Sequence, residues 1–227
     1  MGLSVILPAY NEGSSVSGVI AEVLATLDEA GIDGEVVVVD DGSTDGSVDC
    51  CFQEDPRVRV VTHPVNRGKG AAIRSGLEVA RGRYVMIHDC DGEYPCEDII
   101  YFFSVVTEGK VDVCFGSRLW RRPRMRRLHF VGNRVISLAS SILLGIQVRD
   151  VMTGHKIFRR GLLDPARVKC SGFDVEVELT FLLLWDLPRE RFYEYSIQYD
   201  ARESGSKLRK VDGLRCLWRA ARETLRH

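Results

Sequence analysis

Short runs of β-branched and aliphatic residues recur along the first half of the chain, at Val5 to Leu7, Val36 to Val39, Val58 to Val61, Tyr84 to Ile87 and Val111 to Phe115. Several are continuously apolar, the pattern of a strand buried on both faces. Between the early runs the apolar spacing becomes helical, predicting helices over roughly Ser15 to Ala30, Thr44 to Phe52 and Gly70 to Ala80. Strand, helix and strand in that order is the rhythm of a mostly parallel sheet with helices on both faces, so an α/β fold is expected. Near Arg121 the texture changes to an Arg-rich run containing Pro123. An apolar-faced helix from Phe130 to Ile146 follows, then a helix over Val175 to Trp185, a strand near Tyr193 to Ile197 and a basic helix from about Leu208. No internal repeat, low-complexity segment or Pro/Gly/Ser-rich linker interrupts the chain, so one domain over residues 1–227 is expected.

Composition narrows the function classes. At 227 residues with 45% apolar side chains, the chain is long enough to bury a sizeable core. Thirty-one Lys and Arg against 32 Asp and Glu leave a formal charge of -1, so there is no overall positive field to hold nucleic acid, and none is expected as a partner. The cysteines (Cys50, Cys51, Cys90, Cys96, Cys114, Cys170, Cys216) are odd in number and contain no CxxC pair. That argues against a disulfide scaffold or a zinc knuckle and for a reducing, cytoplasmic compartment. The start MGLSVILPAY has no basic segment before a short apolar stretch, so no signal peptide is expected. Ile6 stands where a myristoylation signal needs Ser or Thr. The longest apolar stretches, Ile136 to Ile146 and Phe181 to Trp185, fall short of the ~20 residues that span a bilayer.

Chemistry concentrates where the early strands end. Asp89 and Asp91 follow the strand YVMIH, and residues i and i+2 of an extended chain point the same way. Two convergent carboxylates suit Mg²⁺ or Mn²⁺, with Glu93 as a third ligand; a simple Asp-Gly turn is the plainer alternative. An EF-hand is excluded by register, because Gly92 stands at the fourth loop position rather than the sixth. The first strand ends in LPAYNE, where Pro8, Tyr10 and Glu12 alternate onto one face to receive a base. The second ends in VVDDGSTDGS, where Asp40 or Asp41 accepts hydrogen bonds from base or ribose. The same stretch also reads as a helix start, with Ser43 or Thr44 as N-cap. These ends share the edge of an open α/β sheet at which ligands bind. In NRGKGAAIRSGL, Gly68 and Gly70 permit close backbone approach and Lys69 adds charge, but the spacing is neither that of a P-loop nor GxGxxG.

LPAYNE, VVDDGSTDGS, NRGKGAA and the DCD triplet, in that order and spacing, resemble the family 2 glycosyltransferases over the first ~120 residues. The resemblance implies a GT-A fold, Rossmann-like. It implies a nucleotide-sugar donor with Pro8, Tyr10, Glu12 and Asp40 or Asp41 around base and ribose, and Asp89 and Asp91 on the metal and diphosphate. GSRL, the Asn133-Arg134 helix, DVMTGHKIFRR, GFDVEVEL and ARESGSKL look like the branch that makes dolichyl- or polyprenyl-phosphate sugars. There, arginines matching Arg118 and Arg134, with Arg202 and Lys207 of the late loop, surround phosphates. His155 stands where that branch usually has an aromatic residue, and the late loop is one residue shorter than its usual spacing.

The expected division is a donor half, 1–118, and an acceptor half, 119–227. Arg118, Arg121, Arg122, Arg124, Arg126, Arg127 and Arg134 form an acid-free cluster beside Trp120, Met125 and the apolar-faced helix, the composition of an interfacial anchor. The alternative is a solvated basic loop before a core helix. Peripheral contact with the cytoplasmic face of a membrane is expected, with a separate membrane subunit as the other route to a lipid. Three rival functions stay open. They are the same fold with a hydroxyl acceptor, for which Asp174, Glu176 or Glu178 is the base, a non-catalytic nucleotide-binding subunit, and a nucleotidyltransferase.

Overall fold

The computed structural model describes residues 1–48, 55–119, 127–199 and 210–225. In chain order the elements are β1 (Leu3–Ala9), α1 (Ser15–Glu29), β2 (Gly34–Asp40), β3 (Val58–Thr62), α2 (Lys69–Val79), β4 (Tyr84–Ile87), α3 (Asp98–Thr107), β5 (Val113–Ser117), α4 (Arg127–Leu144), β6 (Lys156–Arg159), α5 (Val175–Leu184), β7 (Phe192–Ser196) and α6 (Lys210–Thr224). The strands form one seven-stranded sheet in the order β3-β2-β1-β4-β6-β5-β7. Every neighbouring pair is parallel except those of β6, which runs antiparallel to both β4 and β5. β6 thereby places a strand from the second half of the chain between two from the first.

Strand periodicity explains the two layers. In β1 and β2, Ile6, Val37 and Val39 enter a core shared with α2, α4, α5 and α6. Their neighbours Val5, Leu7, Val36 and Val38 enter the opposite core with α1 and α3. All four valines of β2 are fully buried, and each contributes on the order of 1.5 kcal/mol or more relative to exposure. This double burial is why the sequence shows a continuous apolar run where a one-faced sheet would alternate.

Two expectations are corrected and two elements are new. The segment 44–48 is turn and bend, not the start of a helix over Thr44 to Phe52; residues 49–52 lie outside the described ones. The polar groups that looked like caps are used across loops. Asn11 N donates to Ser43 Oγ (3.1 Å), Thr44 N to Asn11 Oδ1 (2.8 Å) and Gly13 N to Asp45 Oδ2 (3.0 Å). α3 and β6 are the additions.

α4 is inverted relative to a core helix. Asn133, Ser137 and Ser140 are buried, while Val131, Val135, Leu138 and Ile142 are 49–72% exposed along one stripe. Its inner serines hold the following loop: Val151 N donates to Ser137 Oγ (3.1 Å), and Ser141 Oγ both accepts from Val148 N and donates to a carbonyl. Among the described residues no helix is long and apolar enough to cross a membrane.

Candidate active site

β1, β2 and β4 are parallel neighbours, so their carboxyl ends lie on one edge, with Ala9 opposite Asp40 and Ile6 opposite Ile87. Asp89 and Asp91 emerge just beyond β4. Burial and the neighbouring charges of Asp89 and Glu93 push the Asp91 carboxyl up to about 7. Lys69 acts oppositely on Asp89, whose carboxyl is held below the usual range against the cost of burial. Lys69 Nζ lies 2.7 Å from Asp89 Oδ1. A Cβ on residue 154 would overlap Asp89 Oδ2, so Gly154 makes room for this carboxylate.

The donor set is therefore two hard carboxylates under mutual repulsion, which fits a divalent cation that keeps further positions for phosphate oxygens and water. Glu93 does not complete a third position. Its Oε2 accepts the Tyr199 hydroxyl at 2.6 Å, and no three His, Cys, Asp or Glu side chains converge as a metal-holding group among the described residues.

The sequence profile described as Glycosyl transferase family 2 matches residues 4–165. The chain belongs to that family. Among curated relatives, glycosyltransferase AglJ of Haloferax volcanii is 33% identical over 77% of this chain and 56% of its own length. Dolichyl-phosphate hexose transferase of the same organism is 32% identical over 91% of this chain and 86% of its own. The chain thus spans little more than half of the longer relative. Glucosyl-3-phosphoglycerate synthase from Mycobacterium tuberculosis, solved with Mn²⁺, UDP-glucose and phosphoglyceric acid, superposes with a TM-score of 0.72 at 21% identity, covering 98% of this chain and 79% of that one. Such a likeness establishes the GT-A fold.

In this family 2 glycosyltransferase, several expected ligand contacts turn out to be struts. Asp41 faces inward: its Oδ1 accepts from Arg67 N (2.9 Å) and sits 2.7 Å from His63 Nδ1, while Oδ2 accepts from Gly68 N (2.6 Å). It fixes the loop ahead of α2 rather than meeting a base or ribose. Gly68 and Gly70 do permit a close approach, but to the chain itself: a Cβ on either would collide with the carbonyl of Ser171 or Cys170. Lys69 is shared between Asp89 and Glu176 (2.8 Å) and is no loose phosphate hook. Arg118 departs most from expectation. It is buried, paired through Nε and Nη2 with Asp150 at 2.7 and 2.9 Å, and donates to the Met152 carbonyl at 2.8 Å. Its charge is spent on the 150–152 loop rather than held out to a phosphate.

Other candidates remain at the edge. Tyr10 is exposed and Asp40 is buried, with Oδ1 accepting from Ser43 N at 2.9 Å. β1 ends at Ala9 and Asn11 adopts a left-handed φ of 51°, so the alternation that would place Glu12 beside Pro8 is broken. Arg134 lies exposed on α4. Arg202, Lys207 and the run from Arg121 to Arg126 lie outside the described residues, as does the side chain of Arg127.

The sequence reading missed what backs Asp89. His88 is buried and uncharged, its pKa pushed down to about 4 by burial. His88 Nδ1 lies 3.2 Å from His155 Nε2, and His155 stacks on Phe102 with centroids 4.9 Å apart. The imidazole at 155 fills an aromatic slot, which explains the departure from the usual residue there. Lys156 and Tyr199 were also not singled out. The GHKIF segment carried the signal for Lys156, because a lysine opening an apolar strand must pair when buried.

Proposed function

We propose that the chain transfers a hexose, with inversion, from a nucleotide diphosphate sugar to a polyprenyl or dolichyl phosphate, and that residues 1–227 act as one domain with a donor half and an acceptor half. The observation that carries the acceptor class is the commitment of the would-be bases. Asp174 accepts from Cys170 Sγ (3.0 Å) and pairs with Arg219, Glu176 pairs with Lys69 and Lys156, and Glu178 accepts from Lys169 N and Cys170 N. A hydroxyl acceptor needs a carboxylate base, whereas a phosphate monoester, with a second pKa of ~6, is already ionised at neutral pH. The dolichyl-phosphate hexose transferase among the relatives supports the same choice.

Asp89 and Asp91 would hold Mg²⁺ or Mn²⁺, a use supported by the Mn²⁺ and UDP-glucose of the superposed synthase. A cation there supplies positive charge to the departing diphosphate. The chain's own part is positioning. Tyr10, with Pro8 and Asp40, receives the base and ribose, while Arg134 with Arg202 and Lys207 holds the acceptor phosphate. The outward apolar stripe of α4 supports lipid contact at the cytoplasmic face of a membrane, assisted by the preceding arginines or by a membrane subunit.

The test offers purified protein, Mn²⁺ and labelled GDP-mannose or UDP-glucose a choice of dolichyl phosphate in liposomes, 3-phosphoglycerate or a simple alcohol. Label is expected in the lipid phase alone. Label on phosphoglycerate or the alcohol, with none on lipid, would replace this reading with the hydroxyl acceptor. At saturating metal Asp91→Ala should lose about a hundredfold or more in turnover, and near-normal activity would remove the metal assignment.

A further inference from the structure

Behind Asp89 a row of alternating charges runs into the core. Lys69 bridges Asp89 Oδ1 and Glu176 Oε1. The other oxygen of Glu176 pairs with Lys156 Nζ, which also donates to the carbonyls of Val151 (3.2 Å) and Thr153. Glu176 is 2% exposed and Lys156 is completely buried. Burial works against both lysine charges. It is outweighed at Lys69, held above its usual pKa by two carboxylates, but not at Lys156, which is held below.

Stability alone does not account for such a row. Taking an ion out of water costs several kcal/mol, and well-packed apolar residues in place of a buried pair are often neutral or better. Glu176 lies on α5 between apolar residues that fill the core, so a leucine there would cost the helix nothing in propensity. What the carboxylate does is local. It takes half of the attraction of Lys69 and fixes that ammonium from the side away from Asp89. With Glu176 neutral, Lys69 would bear on Asp89 alone, and Lys156 would add an uncompensated positive charge behind it. Gly154 closes the other flank of Asp89, so the carboxylate is clamped between a bare backbone and a fixed cation.

On the reading of Asp89 and Asp91 as metal ligands, we propose that Glu176 is a positioning residue which, by fixing the shared Lys69, sets the orientation of Asp89 and keeps that ammonium from bearing on Asp89 alone in place of a divalent cation. It touches neither substrate nor metal. Partners that orient a metal ligand typically change affinity by about 10–100-fold when removed, and that is the effect expected here.

Mn²⁺ alone is the probe, titrated into the purified full chain with free Mn²⁺ read by electron paramagnetic resonance. Glu176→Gln should raise the Mn²⁺ dissociation constant by about 10–100-fold. Glu176→Asp, which keeps the charge but loses a methylene, should stay within a few-fold of the parent. A packing role would give the reverse order, because glutamine preserves the shape. Lys156→Met combined with Glu176→Gln removes both ends of the outer pair, leaves no unpaired core charge, and should still bind Mn²⁺ more weakly than the parent. Parent-like binding by both Gln-containing variants, with Asp91→Asn abolishing it, would overturn the positioning role and leave the metal site standing. No Mn²⁺ binding by the parent, or unchanged binding by Asp91→Asn, would overturn the metal-site reading and this proposal with it.

Discussion

α4 and α5 pack into the same core and invert the usual relation between polarity and depth in different ways. α5 is buried almost throughout, and two of its buried residues are Glu176 and Glu178. α4 turns Asn133, Ile136 and its serines inward and leaves Val131, Val135, Leu138 and Ile142 outside. The charges of α5 are matched one by one, so their burial reflects what lies at its N-terminal end: Lys69, Lys156, Arg219 and two backbone N–H groups. Among the described residues, the apolar stripe of α4 has nothing comparable over it. Position in the sheet layer explains α5, whereas the exposed stripe of α4 is what a less polar surface, such as the proposed membrane contact, would cover.

That contrast should appear first as stability. Phe181→Ala empties a fully buried site in the larger core and should cost about 3–5 kcal/mol in urea unfolding, whereas Leu138→Ala on α4 should stay within about 0.5 kcal/mol. A loss at Leu138 comparable to that at Phe181 would mean that the stripe is part of the protein's own core. Ser137→Ala, on the inner side of α4, should cost about 1–3 kcal/mol by stranding the buried Val151 N–H. Ser137→Ala without measurable cost would remove the evidence that the polar side of α4 is its packing side.

What could be read from the sequence follows the same division. β4 was legible to the residue, and α1, α2 and α5 nearly so, because doubly buried strands and long periodic helices write their burial into composition. α3 escaped because it follows a Cys- and Pro-containing turn with no side-chain cap. β6 escaped because it opens on a buried lysine. The helix expected from Thr44 does not begin within residues 44–48 because Ser, Thr and Asp there serve loop-to-loop bonds as readily as caps. At the candidate site, the place of Asp89 and Asp91 just beyond the end of β4 was legible from their spacing and the strand before them. The inward turn of Arg118 and Asp41 was not, because their partners, Asp150 and the Arg67 to Gly68 backbone, lie far away in sequence. The apolar face of α4 was legible as a stripe, with an outward interfacial face as the expectation and a core helix as the alternative; the polar packing on its inner side was not.

The loop that the inner serines of α4 hold has a further clasp, and it should respond to pH. Glu194 accepts from Arg149 N and Asp150 N, yet burial pushes its carboxyl up from 4.5 to about 7. The folded pKa lies above the unfolded one, so this group's stabilisation is complete below about 4.5 and is lost as pH rises through about 7. The slope is at most about 1.4 kcal/mol per pH unit. Glu194→Gln keeps an acceptor without the charge and should flatten the dependence of urea midpoint on pH over that window. An unchanged profile in Glu194→Gln would show that the clasp is indifferent to ionisation.

The smallest effect is the one that most directly distinguishes the two helices. Leu138 is 63% exposed and Ile142 is 72% exposed, so making either polar removes little from the folded protein. At a membrane interface the same side chains would leave water, and a half-buried leucine contributes on the order of 1 kcal/mol. Leu138→Gln should therefore lower partitioning onto anionic liposomes about fivefold and Ile142→Gln a similar amount. Their urea midpoints should be unchanged. Added salt should weaken binding of parent and variants alike, because on the proposed membrane contact the arginines preceding α4 would add a screened attraction that the stripe does not. A parent that ignores anionic liposomes at low salt, or variants that bind as the parent does, would assign the stripe to a protein partner and return the acceptor question to the soluble alternatives.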